Sequence, residues 1–212
     1  MDWPLNSQQK DCNVDSAVVV GNGTSRSGII LQSLKKIGPV YACNAVYREF
    51  KPDYLIAVDS KMLLEITNSG YHLTNIVWTN ANQLSKKIKN INVFNPTLGW
   101  SSGPTALHFA SSKKYQDIFI LGFDYLGLGS NNEYVNNVYT NTENYKKSNE
   151  PATYYRNWLR QTETCIKNNP GINYYRVINE KNSFIPEEFL KLNNLKHINK
   201  LDFIRKFNLE TI

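Results

Sequence analysis

Long apolar runs, histidine and cysteine are all scarce in this chain of 212 residues. No run of eighteen or more apolar residues occurs, which excludes an ordinary transmembrane helix. The first residues, MDWPLNSQQKDCN, have neither a basic start nor an apolar stretch, so we expect no signal peptide. A cytoplasmic protein is therefore expected. If the chain is encoded by a phage, the expected location is the host cytoplasm or the virion.

The three cysteines, Cys12, Cys43 and Cys165, are widely spaced and odd in number. They form neither a zinc-binding spacing nor a disulfide framework, and reduced thiols suit a chain kept inside the cell. The sequence therefore predicts no metal site.

Acidic residues are fewer than basic ones, 18 against 24, which gives a formal net charge of +6. The lysines are scattered over the whole length, as on a solvated surface, so we expect no nucleic-acid partner. Asparagine, lysine, isoleucine and tyrosine are abundant, a bias that fits an AT-rich genome, bacterial or phage. The sequence leaves the oligomeric state open.

Strand and helix signals alternate along the chain, which predicts parallel βαβ units. The predicted strands are residues 17–20, 40–43, 54–58, 75–79, 92–94, 117–122 and 173–177. The predicted helices are residues 26–37, 60–68, 81–88, 103–114 and 152–168. The expected fold class is α/β: a single Rossmann-like domain with a mostly parallel sheet flanked by helices.

This pattern divides the chain into an N-terminal extension (1–15), a Rossmann-like domain (16–186) and an amphipathic helical tail (187–212). Residues 127–151 are rich in Asn, Tyr, Ser and Gly and are predicted to form a long polar loop or lid.

Polar residues cluster at the carboxyl ends of the predicted strands or at the helix starts that follow. They are Gly21-Asn22-Gly23, Asn44, Asp59, Ser101-Ser102-Gly103 and Asp124-Tyr125. In open parallel sheets the ligand crevice lies outside these strand ends, so we expect these residues to share a pocket. Free amides after the glycine turn and at the start of the helix near 103 favour an anion such as a phosphate.

Most of these residues also have a purely structural interpretation. Asp59 can cap the following helix, Asn44 can be a turn residue, and Ser101 or Ser102 can be an N-cap. Asp124 follows the most apolar strand, where a carboxylate is costly unless it is paired or hydrated, so a functional role is favoured there.

Three stretches, GNGTS (21–25), YACNAVY (41–47) and LGWSSGPTALHFASSKKYQDIFILGFDYLG (98–127), resemble glycosyltransferase family 42, the bacterial sialyltransferases. KPDYLIAVD (51–59) resembles a sister group, the Rossmann-like proteins related to archaeal hydroxymethylpterin pyrophosphokinase.

The family resemblance implies a domain that binds a cytidine nucleotide sugar without a metal and transfers the sugar to a carbohydrate hydroxyl with inversion. By residue match, it places Asn22, Gly23 and Ser25 near the phosphates and Asn44 at the nucleotide or sugar. It also implies that Ser102 and Gly103 contact the phosphate or the donor carboxylate, and that Asp124 and Tyr125 line the base and ribose end. Loop tyrosines hold the phosphate in that family, which makes the tyrosines of the present loop candidates: Tyr134, Tyr139, Tyr145, Tyr154 and Tyr155.

The chain departs from the family at the histidine that deprotonates the acceptor. Its histidines are His72, His108 and His197, and none falls between residues 127 and 156. The general base would then be Asp59, Asp124 or His108, with packing against the sheet as the structural interpretation of His108.

Two other functions remain open. A Mg²⁺-dependent diphosphotransferase would use Asp59 and Asp124 to hold the metal. A catalytically silent binding or structural module, for example in a phage particle, would need no base at all.

Overall fold

The computed structural model of the chain describes residues 15–179 and 184–212. Eight strands form one sheet, in which every neighbouring pair runs parallel. The strands are β1 (Ser16–Val20), β2 (Val40–Cys43), β3 (Tyr54–Ile56), β4 (Val77–Asn80), β5 (Asn92–Phe94), β6 (Asp117–Leu121), β7 (Asn173–Ile178) and β8 (Leu195–Asn199). Their order across the sheet is β5-β4-β3-β2-β1-β6-β7-β8, so the predicted single Rossmann-like α/β domain is confirmed.

Helices cover both faces of this sheet. The α-helices in the described residues are α1 (Ser60–Asn68), α2 (Ser102–Ser112), α3 (Arg156–Lys167) and α4 (Lys200–Phe207). Side chains of β1 alternate between two cores, because successive strand residues point to opposite faces. Val18 and Val20 join the core beneath α1 and α4, whereas Ala17 and Val19 join the core beneath α2 and α3. None of the helices in the described residues has the length and apolar character needed to cross a membrane.

Two predicted helices are wrong. Residues 26–37 form two 3-10 segments, Thr24–Arg26 and Leu31–Lys36, separated by Gly28 with its left-handed φ of +88°. Residues 81–88 contain only the 3-10 turn Ser85–Lys87. In that turn Asn82 and Ser85 hydrogen-bond each other's backbone amides, which favours a turn over a helix.

The C-terminal segment differs from the helical tail expected for residues 187–212. It contributes β8, which pairs in parallel with β7, before α4 begins. The side chain of Asn199 accepts a hydrogen bond from the Leu201 amide at 2.8 Å and caps α4, which ends the strand at this residue. Of the N-terminal extension, residues 1–14 lie outside the described residues.

The turns after β1 and β6 approach each other without intervening side chains. The Gly21 amide donates to the Leu121 carbonyl at 2.8 Å, and the Gly23 amide donates to the Gly122 carbonyl at 2.9 Å. A Cβ on Gly21 would lie 2.6 Å from the Gly122 oxygen, and a Cβ on Gly122 would lie 2.7 Å from the Gly21 oxygen. Glycine is therefore required here for space, and Gly122 also has a left-handed φ of +69°.

Replacing Gly122 should destabilise the folded chain in two ways, because a Cβ would clash with Gly21 and because the backbone has a left-handed φ. Gly28→Ala isolates the conformational part, because Gly28 has a positive φ but open space around its Cα. We expect Gly28→Ala to cost about 1–2 kcal/mol and Gly122→Ala clearly more. Gly171→Ala, where neither constraint applies, serves as the neutral control. Urea unfolding measures all three variants, and equal losses for Gly28→Ala and Gly122→Ala would contradict the close approach.

Candidate functional site

A cavity of about 350 Å³ lies outside the carboxyl ends of β1, β2, β3 and β6. The predicted site residues that line it are Asn22, Gly23, Asn44, Asp59, Ser101, Ser102, Gly103, Asp124 and Tyr125. Strand β1 lies between β2 and β6. Strands β2 to β5 extend the sheet on one side of β1, and strands β6 to β8 extend it on the other. A crevice at such a switch point is the usual ligand site of open parallel sheets.

Two predicted site residues do not line the cavity. Ser25 is buried and contacts the cavity residue Asp124 through both its amide and its hydroxyl. His108 lies on α2 with its ring 5.7 Å from that of Trp100, and burial lowers the pKa of its imidazole. Among the described residues no histidine lines the cavity, so the structure gives the candidate base His108 no access to a ligand bound there.

The backbone amides of Gly23, Thr24 and Ser25, at the end of the glycine turn, already have acceptors within the protein. The Gly23 amide bonds to Gly122, the Thr24 amide donates to Asn136 Oδ1 at 2.9 Å, and the Ser25 amide donates to Asp124 Oδ2 at 3.0 Å. Gly23 itself has an extended backbone, with φ at −66°. The amides of Gly23, Thr24 and Ser25 are therefore not free for a phosphate, and the turn packs β1 against β6.

Asp124 stabilises the contact between the turns after β1 and β6. Its carboxylate accepts hydrogen bonds from the amide and from the hydroxyl of Ser25. A Cβ on Gly23 would lie 2.5 Å from Asp124 Oδ2, so the carboxylate packs directly on the glycine. The buried Arg176 fixes the same segment from behind, donating to the carbonyls of Phe123 at 2.8 Å and Asp124 at 3.1 Å.

Tyr125 is buried beside Asp124 and lines the cavity. Its hydroxyl donates to Thr162 Oγ1 at 2.7 Å, and burial raises the pKa of the phenol. Tyr125 therefore forms part of the cavity wall, and its hydroxyl hydrogen is already donated to Thr162.

Asp59 differs from Asp124 because its carboxylate makes no hydrogen bond to another described residue. It occupies the N-cap position of α1, yet its side chain does not cap the helix. The side chain is exposed to the cavity, and the surrounding protein removes enough water to raise the pKa of the carboxyl group. The structure thus leaves one lining carboxylate free for a ligand.

The start of α2 is the anion-attracting feature of the cavity. Ser102 Oγ accepts from the Val58 amide at 3.0 Å, and the Ser101 amide donates to Gln161 Oε1 at 3.1 Å. The amides of Ser102 and Gly103 belong to the first turn of this 11-residue helix and have no acceptor among the described residues. Helix starts carry unpaired amides and partial positive charge, which favours a phosphate or carboxylate.

Asparagine oxygens supply unused acceptors near the ends of β1 and β2. Asn22 donates through Nδ2 to the Tyr145 hydroxyl at 3.1 Å. The Oδ1 atoms of Asn22 and Asn44 are buried, and neither has a partner among the described residues. Both residues line the cavity, but these oxygens are enclosed by protein, so a ligand would reach them only after the side chains turn towards the cavity.

Residues 127–151 contain no helix or multi-residue strand and lie across this edge of the sheet. The Tyr145 hydroxyl accepts from Asn22 Nδ2 and from the Ala45 amide at 3.3 Å, and its O–H hydrogen has no acceptor among the described residues. The Val138 amide donates to the Asn22 carbonyl at 2.9 Å. The predicted loop therefore forms part of the cavity wall, with Lys146 as its charged lining residue.

Two arginines that the sequence analysis missed anchor this loop. Arg26 is buried, pairs with Glu49 at 2.6 Å and donates to the Tyr139 hydroxyl at 2.9 Å. Arg48 pairs with Glu65 at 2.6 Å and reaches the loop through Thr142 at 2.8 Å. These partners are distant in sequence, so no local pattern could have indicated them.

Neither thiol chemistry nor a ready-made metal cluster is present at the cavity. Cys43 lines it, but burial raises the pKa of its thiol to about 12, so it stays protonated at neutral pH. In residues 15–179 and 184–212 no three His, Cys, Asp or Glu side chains are grouped as metal ligands. Comparison of the chain with protein-family models, curated proteins and solved structures found no match.

The contrast between the two carboxylates predicts opposite effects on stability. Asp124→Asn weakens charge-assisted hydrogen bonds to Ser25, so it should cost about 1–3 kcal/mol. Asp59→Asn should leave the melting temperature unchanged or slightly raised. Because folding raises the pKa of Asp59, its ionised form lowers folded-state stability above that pKa. Thermal unfolding at pH 7 compares the variants, and a larger loss for Asp59→Asn would contradict these roles.

Proposed function

We propose that the cavity binds a nucleotide sugar, CMP-linked by the family resemblance, and that the chain transfers its sugar to a carbohydrate hydroxyl with inversion. One observation carries the proposal: Ser102 and Gly103, whose helix-start amides are unpaired, and Asp59, whose carboxylate is unpaired, line the same cavity at the switch point of the sheet. An inverting transfer needs donors for the departing phosphate and a base for the incoming hydroxyl.

The phosphate of the donor is assigned to the start of α2. The amides of Ser102 and Gly103 are the unpaired donors there, and the helix contributes partial positive charge. Tyr145 can add its O–H hydrogen, as loop tyrosines do in the family that the sequence resembles, and Lys146 adds a positive charge. These groups would stabilise the negative charge that develops on the leaving nucleotide.

The base is assigned to Asp59. Asp124 is engaged by Ser25, and His108 lies outside the cavity lining, which leaves Asp59 as the unpaired candidate. Its raised pKa brings it nearer to neutral pH, where a general base is more effective. Asp59 takes the proton of the acceptor hydroxyl while that oxygen bonds to the anomeric carbon. The bond from this carbon to the phosphate oxygen breaks, and the nucleotide leaves with the electron pair.

The nucleoside and sugar hydroxyls are assigned to Asn22 and Asn44, which line the cavity near the ends of β1 and β2. Asn22 Oδ1 and Asn44 Oδ1 are buried without partners, which is costly unless a ligand donates to them. Once either side chain turns towards the cavity, an exocyclic amine or a sugar hydroxyl would supply such a donor. No metal is needed in this scheme, because helix amides and side chains neutralise the phosphate.

A second candidate is a Mg²⁺-dependent diphosphotransferase, because Asp59 and Asp124 line the same cavity. The resident Ser25 bonds weaken this candidate, since they use lone pairs of Asp124 that a metal would need. Metal dependence of binding separates the two.

Binding and turnover together test the proposal. We expect CMP to raise the melting temperature of the chain equally with and without Mg²⁺. ATP binding that requires Mg²⁺ would favour the diphosphotransferase, and no stabilisation by any nucleotide would favour a silent module.

With a CMP-linked sialic acid as donor, Asp59→Asn should keep CMP affinity and lose at least about 100-fold in turnover. His108→Gln is the matched control and should retain turnover. In the wild type, kcat/KM should rise with pH through the Asp59 pKa, which lies above the usual aspartate value, and Asp59→Asn should lack this acidic limb. Full turnover in Asp59→Asn would refute the assignment of the base.

A further inference from the structure

One wall of the cavity is formed by α3 and the residues before it. Leu159, Thr162 and Ile166 on this helix are buried against the sheet. Trp158, one turn before Thr162, instead lines the cavity and is 37% exposed. Together with Tyr155, which also lines the cavity, it forms a surface that we term the aromatic shelf.

Helix α3 and Tyr155, which position the aromatic shelf, are held in place on several sides. The Ser101 amide donates to Gln161 Oε1 at 3.1 Å, which joins α3 to the start of α2. Tyr155 packs edge-on against Phe184 at 6.1 Å. The Tyr125 hydroxyl bonds Thr162 on the same helix. A helix fixed in this way presents Trp158 at the cavity without first having to be ordered.

The chemistry of this wall is neutral. The charged residues that line the cavity are Asp59, Asp124 and Lys146, and none belongs to α3 or to residues 152–155. The shelf's neighbours in the lining, Ala152 and Thr153, are small and uncharged. Covering an exposed indole removes apolar surface from water, which makes ligand binding more favourable. Aromatic faces also pack well against the C–H face of a sugar ring.

We propose that the aromatic shelf is the acceptor subsite and that the acceptor is a saccharide whose apolar ring face stacks on Trp158. The inference rests on the proposed function and specifies its acceptor. A nucleobase could also stack there, but a base is a terminal group that a pocket encloses. The shelf leads outwards instead, because Trp158 is partly open and the adjacent Tyr154 is 68% exposed. A saccharide chain can continue past Trp158 into solvent.

The test uses the full chain, CMP at saturation, and methyl β-D-galactopyranoside, whose axial hydroxyl leaves one continuous C–H face. Saturation-transfer NMR should show contact through H3, H4 and H5 in the wild type. Trp158→Ala should weaken glycoside binding at least tenfold, Trp158→Phe should retain most of it, and CMP affinity should change less than twofold. Tyr134→Ala is the control, because Tyr134 is 43% exposed but does not line the cavity.

Three outcomes separate this inference from the proposed function. If the wild type binds CMP but shows no contact with the methyl glycosides of galactose, glucose or mannose, the saccharide assignment is overturned. If Trp158→Ala weakens CMP as strongly as the glycoside, the shelf holds the base and the inference is overturned. If glycoside contact depends on Trp158 while CMP does not bind, the saccharide subsite stands and the nucleotide-sugar proposal fails.

Discussion

The turns that follow β1 and β6 meet backbone to backbone, and the site depends on this contact. Gly21 and Gly122 leave no room for a Cβ on either side, and the Gly23 amide bonds across to Gly122. These turns lie where the strand order changes direction, and Gly21, Gly23 and Gly122 line the cavity there. Asp124 then fixes the contact by holding both the amide and the hydroxyl of Ser25.

Polar groups at this edge fall into two kinds, those used by the fold and those left for a ligand. The amides of Gly23, Thr24 and Ser25 and the carboxylate of Asp124 are already paired, which makes them structural. Asp59 and the amides of Ser102 and Gly103 have no partners among the described residues. The partial burial that raises the pKa of the Asp59 carboxyl lowers stability when that group is ionised, which favours a role in binding for it. The loop held by Arg26 and Arg48 closes the remaining side.

The sequence indicated the sheet and the pocket because both follow from local patterns. Apolar runs gave the strands, and the polar residues at their ends were brought together by the parallel arrangement. The sequence did not indicate features that depend on contacts between residues far apart in the chain. The C-terminal apolar spacing suits a helix, yet pairing with β7 makes Leu195–Asn199 a strand. The glycine motif alone predicts a phosphate-binding turn. In the structure Gly122 packs against this turn and accepts the hydrogen bond of the Gly23 amide. The interactions of Arg176 and the cavity position of Trp158 have no sequence signal, because each depends on elements far along the chain.

The central claim is that an anionic nucleotide binds at the start of α2 and not at the glycine turn. A titration with CMP, followed through the backbone amide resonances, tests it directly, with cytidine as the control that lacks the phosphate. The account predicts that CMP shifts the Ser102 and Gly103 amides downfield, that cytidine does not, and that the Gly23 and Ser25 amides keep their positions. Large shifts at Gly23 and Ser25, with Ser102 and Gly103 unmoved, would contradict it.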